Sequence, residues 1–131
     1  MSRVFITASF KNGANREEIE QLCSIVREAG FDDFCFIRDV ENYQKVFNDP
    51  QELMRRTTEE IQKSDFLLLD LTEKPTGRAV EAGIAYALDK GVIVIAQKGT
   101  QIKDTTRGIA SAVIEYERIE GIIPELRKLL T

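Results

Sequence analysis

Two apolar runs with a helical segment between them constrain the fold more than any other feature of the sequence. Residues 65–72 and 92–98 each contain at least four apolar residues in succession, FLLL in the first and VIVIA in the second. Continuous runs of this kind are typical of parallel strands that helices cover on both faces. Parallel neighbours need a long crossover connection, and residues 76–91 between the two runs have helical composition. The spacing therefore predicts a strand–helix–strand unit.

The same alternation continues through the rest of the chain. Further β-branched or aromatic runs predict strands at 3–10, 33–39 and 112–117. Helices are predicted to begin at Asn15 and at Asp49–Pro50, to end at Gly30, Lys63 and Lys90–Gly91, and to close the chain at 119–130. Residues 1–131 therefore predict one α/β domain, a flavodoxin-like, doubly wound sheet of about five parallel strands in the order 2-1-3-4-5.

Composition excludes several classes of function. The net charge of −4 and the pI near 5.0 argue against a nucleic-acid polymer or an anionic membrane as a partner. Because the chain has no histidine, a histidine zinc site and a serine–histidine or cysteine–histidine catalytic pair are excluded. With two cysteines, no signal-like start and no apolar run of about 20 residues, we expect a cytoplasmic protein with reduced thiols and neither metal nor cofactor.

The turns after the predicted first, third and fourth strands are the candidate binding sites. In an open parallel sheet, ligands bind at the carboxyl ends of the strands, near the point where the strand order reverses. Asp70 ends the third strand, and the next helix opens with Thr76, Gly77 and Arg78. A helix start presents free N–H groups that favour phosphate, although an ordinary capped helix would have the same sequence. The chain contains no Walker loop and no G-x-G-x-x-G motif.

The turn after the first strand has a similar character. Its candidates for a phosphate-binding loop are a hydroxyl, an aromatic ring, a cation and a glycine, namely Ser9, Phe10, Lys11 and Gly13. Many loops contain such residues, so the main support for a phosphate-binding role comes from the predicted fold, which would place this turn beside Thr76.

Glu81 is the one charged residue in the apolar helical stretch between Ala79 and Leu88. One interpretation is a carboxylate that faces solvent and interacts favourably with the helix dipole. The other is a half-buried nucleophile or base at the ligand crevice, since its neighbours leave little polar surface around it.

The stretch from Ser64 to Ala96, SDFLLLDLTEKPTGRAVEAGIAYALDKGVIVIA, resembles the nucleoside 2-deoxyribosyltransferase family, which includes the 2′-deoxynucleoside 5′-phosphate N-hydrolases. The shared pattern is a strand that ends in acidic-x-Thr, followed by Ser/Thr-Gly-x-Ala-x-Glu-x-Gly-x-Ala. Here the two parts begin at Asp70 and Thr76, and Glu81 is the central glutamate. The opening VFITASFKNG is similar to the family's first strand and sugar-phosphate loop.

This resemblance implies cleavage of the N-glycosidic bond of a (2′-deoxy)nucleoside or of its 5′-monophosphate. Glu81 would attack the anomeric carbon, and water or a second base would accept the sugar, much as in retaining glycosidases. Asp70 is the candidate for a supporting acid, with Asp39 as a second candidate. The 5′-phosphate would contact the two glycine-containing turns, and Lys103 or Thr105 of a neighbouring subunit would complete the site, which implies a homodimer.

Two positions depart from the family pattern and leave alternatives open. Phe5 stands where members commonly have a tyrosine, and Thr57 where they commonly have an aspartate. A nucleotide-binding or sensor domain without turnover is therefore one alternative. A Toll/interleukin-receptor-like module, either an interaction domain or an enzyme that cleaves NAD, is another, since it shares the flavodoxin-like plan and a helix-borne glutamate.

Overall fold

A five-stranded parallel sheet forms the centre of the computed structural model, which describes residues 1–72 and 76–130. The strands are β1 (Arg3–Ile6), β2 (Asp32–Phe34), β3 (Phe66–Asp70), β4 (Gly91–Gln97) and β5 (Ala112–Tyr116). Their order is β2-β1-β3-β4-β5, and every neighbouring pair is parallel. The predicted flavodoxin-like arrangement is therefore confirmed.

Helices cover both faces of this sheet. They are α1 (Arg16–Glu28), α2 (Phe36–Asp39), α3 (Pro50–Gln62), α4 (Gly77–Ala87), α5 (Asp104–Ile109) and α6 (Ile122–Arg127), with short 3-10 turns at Ile119–Gly121 and Lys128–Leu130. Strand side chains alternate between two cores, so that Val4 and Ile6 pack with α1 and α6 whereas Phe5 packs with α3 and α4. This double burial explains the continuous apolar runs of β3 and β4.

The first strand is shorter than the predicted 3–10, so its predicted end is wrong. The N–H of Thr7 makes the last bond to the Leu68 carbonyl, and the chain then leaves the sheet. The Asn15 side-chain amide donates to the Ser9 carbonyl at 3.0 Å and so holds the following loop toward α1. Asn15 precedes α1 as predicted, but its side chain makes no capping hydrogen bond to the helix.

The strand predicted at 33–39 is wrong beyond Phe34, because residues 36–39 form α2. The Asp39 carboxylate accepts the Cys35 backbone N–H at 2.9 Å. Arg38 forms ion pairs with both Asp33 and Asp39. These local side-chain bonds satisfy the backbone in a tight turn and compete with a continued strand ladder.

Two helix ends also differ from the prediction. α4 ends at Ala87 rather than at Lys90–Gly91, because Asp89 has a left-handed backbone (φ 60°) and the Lys90 N–H donates to the Ala85 carbonyl at 2.9 Å. The predicted closing helix is divided into α6 and two 3-10 turns. Pro124 has no N–H that could donate to the carbonyl of residue 120, and this missing bond separates the 3-10 turn at Ile119–Gly121 from α6.

The connections after β1 and β3 run to opposite faces of the sheet, the first to α1 and the second to α4. A crevice opens at this switch point, at the carboxyl ends of the strands. In the described ranges, no helix has both the length and the apolar character to cross a membrane.

Candidate active site

Two cavities flank the loop after β1 at the carboxyl edge of the sheet. The larger cavity, about 770 Å³, lies between this loop, the segment after β2, α3 and the start of α4. The smaller cavity, about 330 Å³, lies between the same loop, α1 and the ends of β3 to β5. Ala8, Ser9 and Arg78 line both cavities. The larger volume lies within the range typical of small-molecule sites.

The larger cavity has an apolar part and a polar part. Phe36 and Phe47 stack with their ring centroids 5.9 Å apart, and Leu53 and Met54 lie beside them in the lining. The polar lining consists of Ser9, Cys35, Glu41, Lys45, Thr57, Thr76, Arg78 and Glu81. An aromatic wall beside a few polar groups suits a ligand with a flat ring and a polar remainder.

Glu81 lies one turn into α4 and projects into the larger cavity. Its side chain is half-buried, and no hydrogen bond or ion pair joins its carboxyl group to another described residue. Burial is the main cause that raises the pKa of Glu81 from 4.5 to about 8, and the charges of Cys35 and Glu41 raise it further, whereas Arg78 lowers it. The free protein therefore holds this carboxyl group mostly protonated at pH 7.

Arg78 connects the end of β3 to the start of α4. It is only 9% exposed, and its Nη1 atom donates to the Asp70 backbone carbonyl at 2.7 Å. Its guanidinium group thus lies at the boundary between the two cavities and carries a buried positive charge at the crevice.

The structure divides the candidate residues from the sequence between the two cavities. Glu81 shares the larger cavity with Phe10, Thr76 and Gly77, together with Ser9 and Arg78. Lys11 and Asp70 line the smaller cavity. Gly13 and Lys103 line neither; Gly13 has a left-handed backbone (φ 85°) in the turn before α1, and Lys103 is exposed just before α5.

Asp70 belongs to a hydrogen-bond network in the smaller cavity. Its carboxylate accepts the Thr72 hydroxyl at 2.7 Å and the Thr72 N–H at 2.9 Å. The Tyr116 hydroxyl lies 3.1 and 3.2 Å from the two carboxylate oxygens and 2.7 Å from the Thr72 hydroxyl. Asp70 therefore ties the ends of β3 and β5 together and does not line the cavity that contains Glu81.

Several residues that line the larger cavity were not among the sequence candidates. Glu41, Lys45 and Phe47 lie in the polar connection between α2 and α3 and line the larger cavity. Their spacing has no periodicity, so the sequence alone contains no signal that would have distinguished them from a solvated loop.

The two positions that depart from the family pattern also line the larger cavity. Phe5 is buried and tilts against the Phe34 ring at 5.6 Å, so it adds apolar surface and no hydroxyl. The Thr57 hydroxyl donates to the Leu53 carbonyl one helical turn earlier, at 2.8 Å. Neither side chain supplies an acid. In the described part of the chain, no group of three or more His, Cys, Asp or Glu side chains is arranged to hold a metal.

The comparisons with known proteins support the fold. No protein-family model matches this sequence, and no curated protein matches it. Among solved structures, the CMP N-glycosidase BcmB of Clostridium botulinum is similar, with a TM-score of 0.66, 19% identity, and coverage of 95% of this chain and 98% of that one. A conserved protein from Enterococcus faecalis V583 has a TM-score of 0.79 at 17% identity, covering 98% of this chain and 99% of that one.

A 2-deoxyribosyltransferase from Bacillus psychrosaccharolyticus is also similar, with a TM-score of 0.71, 19% identity, and coverage of 93% of this chain and 90% of that one. At these identities the likeness shows a shared fold over nearly the whole chain. Two of these three structures are enzymes of the kind that the sequence resemblance indicated.

Proposed function

We propose that this protein cleaves the N-glycosidic bond of a nucleoside or of its 5′-monophosphate, with Glu81 as the nucleophile. The observation that carries the proposal is a half-buried carboxyl group, without a hydrogen-bond partner in the described chain, in a cavity of about 770 Å³ at the switch point of the sheet. Buried carboxyl groups with raised pKa values in clefts are characteristic of functional sites.

The cavity suggests how the substrate would bind. Its apolar part, with the stacked rings of Phe36 and Phe47, suits a nucleobase. The start of α4 at Thr76 and Gly77, together with Ser9, offers N–H and hydroxyl donors to a 5′-phosphate. A nucleotide with its base against the two phenylalanine rings and its phosphate at the start of α4 would place its sugar between them, near Glu81.

The chemistry follows from this placement. The Glu81 carboxylate attacks the anomeric carbon, and the C–N bond breaks with its electron pair leaving on the base. Water or a second base then attacks the same carbon and releases the Glu81 carboxylate. A carboxylate on one face of the sugar stabilises the positive charge that develops on the ring during both steps. The fold shared with an N-glycosidase and a deoxyribosyltransferase supports this reaction class.

A nucleotide-binding domain without turnover is the second candidate. The raised pKa of Glu81 favours it, because a protonated carboxyl group is a poor nucleophile at neutral pH. Phe5 and Thr57, which supply no acid, favour it as well.

Release of free base distinguishes the two candidates. Purified protein is incubated with a panel of nucleosides and their 5′-monophosphates, and free base is measured by chromatography. We expect release from at least one compound, and Glu81→Gln should reduce that rate by several orders of magnitude while the protein still binds the compound. Binding without any release of base would establish the second candidate.

A further inference from the structure

We propose that Glu41 is the general acid of the reaction and protonates the leaving base. This inference rests on the proposed function, because it assigns the second carboxyl group of a reaction in which Glu81 is the first. Departing nucleobases are poor leaving groups as anions, so protonation in the transition state accelerates their release.

The lining of the larger cavity identifies Glu41. Among the described residues of that lining, only Glu41 and Glu81 carry a carboxyl group. Glu81 projects from α4, whereas Glu41 follows α2, next to the aromatic part of the cavity where Phe36 and Phe47 stack. The two groups are close enough that the charge of Glu41 acts on Glu81. They therefore approach a bound nucleotide from different elements, with Glu41 on the side suited to the base.

The other acidic candidates are engaged elsewhere. Asp39 accepts the Cys35 N–H and pairs with Arg38, so it closes the α2 turn and does not line the larger cavity. Asp70 bonds to Thr72 and Tyr116 in the smaller cavity. The Glu41 carboxyl group, by contrast, makes no hydrogen bond or ion pair with another residue of the described chain, although the Glu41 backbone bonds to Phe36 and Gln44.

The backbone after Glu41 is strained and firmly anchored. Asn42 and Tyr43 have consecutive left-handed conformations, with φ of 49° and 58°. The Tyr43 N–H donates to the Ile37 carbonyl at 2.8 Å, and its hydroxyl donates to Glu20 at 2.9 Å. Two adjacent left-handed non-glycine residues persist only where the surroundings fix them, and such strain clusters at functional sites. Here it turns the chain so that Tyr43 packs against α1 while Glu41 stays at the cavity.

The surroundings of Glu41 suit a proton donor. Its side chain is half-buried, and burial raises its pKa, which favours the protonated form. The ionisable groups that line the same cavity are Cys35, Lys45, Arg78 and Glu81. A negative Glu81 across the cavity further favours a proton on Glu41 in the reactive state.

With Glu41 in this role, every proton that is transferred in the first step is recovered in the second. As Glu81 forms its bond to the anomeric carbon, the Glu41 O–H transfers its proton to a ring nitrogen of the base, which leaves neutral. The Glu41 carboxylate next accepts a proton from the attacking water, whose oxygen bonds to the anomeric carbon as the Glu81 carboxylate departs. Both carboxyl groups return to their starting states, as in retaining glycosidases.

A pair of substrates with different leaving groups tests this role. One is the best natural 5′-monophosphate from the panel, and the other is the same sugar phosphate with a 4-nitrophenyl leaving group, which departs as a stable anion and needs no proton. We expect Glu41→Gln to lower kcat/KM, which reports the step in which the leaving group departs, roughly 100-fold or more on the nucleotide but only a few-fold on the nitrophenyl compound. Glu41→Asp, which keeps an acid, should retain more activity than Glu41→Gln on the nucleotide alone. Glu115→Gln, an exposed glutamate on β5, should match the wild type on both.

Other outcomes overturn the assignment. Equal losses on the two substrates would make Glu41 a positioning or structural residue, and unchanged rates on both would remove it from the mechanism. Equal activity of the Asp and Gln variants on the nucleotide would exclude proton transfer. If the wild type releases neither base nor nitrophenolate, the proposed function itself fails, which is visible in the wild-type control rather than in the Glu41 variants.

Discussion

Replacing Glu81 by Gln should stabilise the protein at high pH and leave its stability nearly unchanged at low pH. In the folded state, burial raises the pKa of Glu81 to about 8, against 4.5 in an exposed chain. Between these values the folded state holds a proton that the unfolded state has lost, so the wild-type free energy of unfolding falls as pH rises. A glutamine has a similar shape and no charge, and therefore removes this penalty.

The structure sets the size of the effect. The difference between 4.5 and about 8, at roughly 1.4 kcal/mol per pKa unit, gives an upper limit of about 5 kcal/mol. Glu81 is half-buried and borders an open cavity, where water reduces the penalty, so we expect about 2 kcal/mol at pH 9. For a chain of this size, that corresponds to a rise in Tm of roughly 6–8 °C.

Urea unfolding followed by circular dichroism at several pH values between 4 and 9 measures this difference. The gain in Glu81→Gln should be close to zero at pH 4 and should grow through the range between 4.5 and about 8. Glu115→Gln, at an exposed position on β5, is the matched control and should show no such growth. A gain independent of pH, or a loss of stability at pH 9, would contradict this prediction, because both would mean that burial does not destabilise the charged form of Glu81.

Two further predictions concern binding and assembly. In the inactive Glu81→Gln protein, a 5′-monophosphate should bind about 10- to 100-fold more tightly than its nucleoside, since a charge-assisted contact contributes roughly 1.5–3 kcal/mol. Ser9→Ala should reduce this preference in calorimetric titrations, the exposed Ser24→Ala should not, and equal affinities for the two ligands would contradict the phosphate site. We also propose a homodimer in which Lys103 reaches the partner's site, so Lys103→Ala should raise KM and Lys128→Ala should not. An active monomer in light scattering at micromolar concentration would contradict it.

The sequence predicted the sheet and the helix that carries Glu81 well because both depend on patterns within a single segment. The runs at 65–72 and 92–98 are buried on both faces, so their composition alone indicates parallel strands. Glu81 was recognisable because a lone charge interrupts an apolar helix. The positions of the loop candidates were harder to predict, since Lys11 and Phe10 are neighbours in sequence but line different cavities. The direction in which a loop side chain points depends on tertiary contacts such as that from Asn15 to Ser9.

Glu41 shows most clearly what the sequence could not give. It lies in a connection without hydrophobic periodicity, and its position depends on the α2 helix, which replaces the expected strand at 36–39. It also depends on the left-handed turn at Asn42 and Tyr43, which distant contacts with α1 hold in place. Hydrophobic periodicity reports neither feature, because side-chain bonds of Arg38 and Asp39 hold the α2 turn and a bond from Tyr43 to Glu20 on α1 holds the left-handed turn.

The pairing of Glu41 with Glu81 resolves a conflict in the chemistry of the site. A nucleophile must be ionised, yet Glu81 in the free protein has a pKa of about 8. The reaction needs one proton on the pair as a whole, with Glu81 ionised and Glu41 protonated, and the pKa values that a rate profile reports belong to the pair. The substrate therefore needs to favour a proton on Glu41 over one on Glu81.

The pH dependence of kcat/KM should therefore be bell-shaped on a natural nucleotide. As pH falls, both groups become protonated and no nucleophile remains; as pH rises, both become ionised and no acid remains. With Glu41→Gln and the nitrophenyl substrate, only Glu81 is required to titrate, so the rate should rise with pH to a plateau and the high-pH limb should disappear. Glu115→Gln should keep the bell shape of the wild type. A wild-type profile that stays level to pH 9 on the nucleotide would mean that neither glutamate donates a proton, and Glu41 would then be no part of the chemistry.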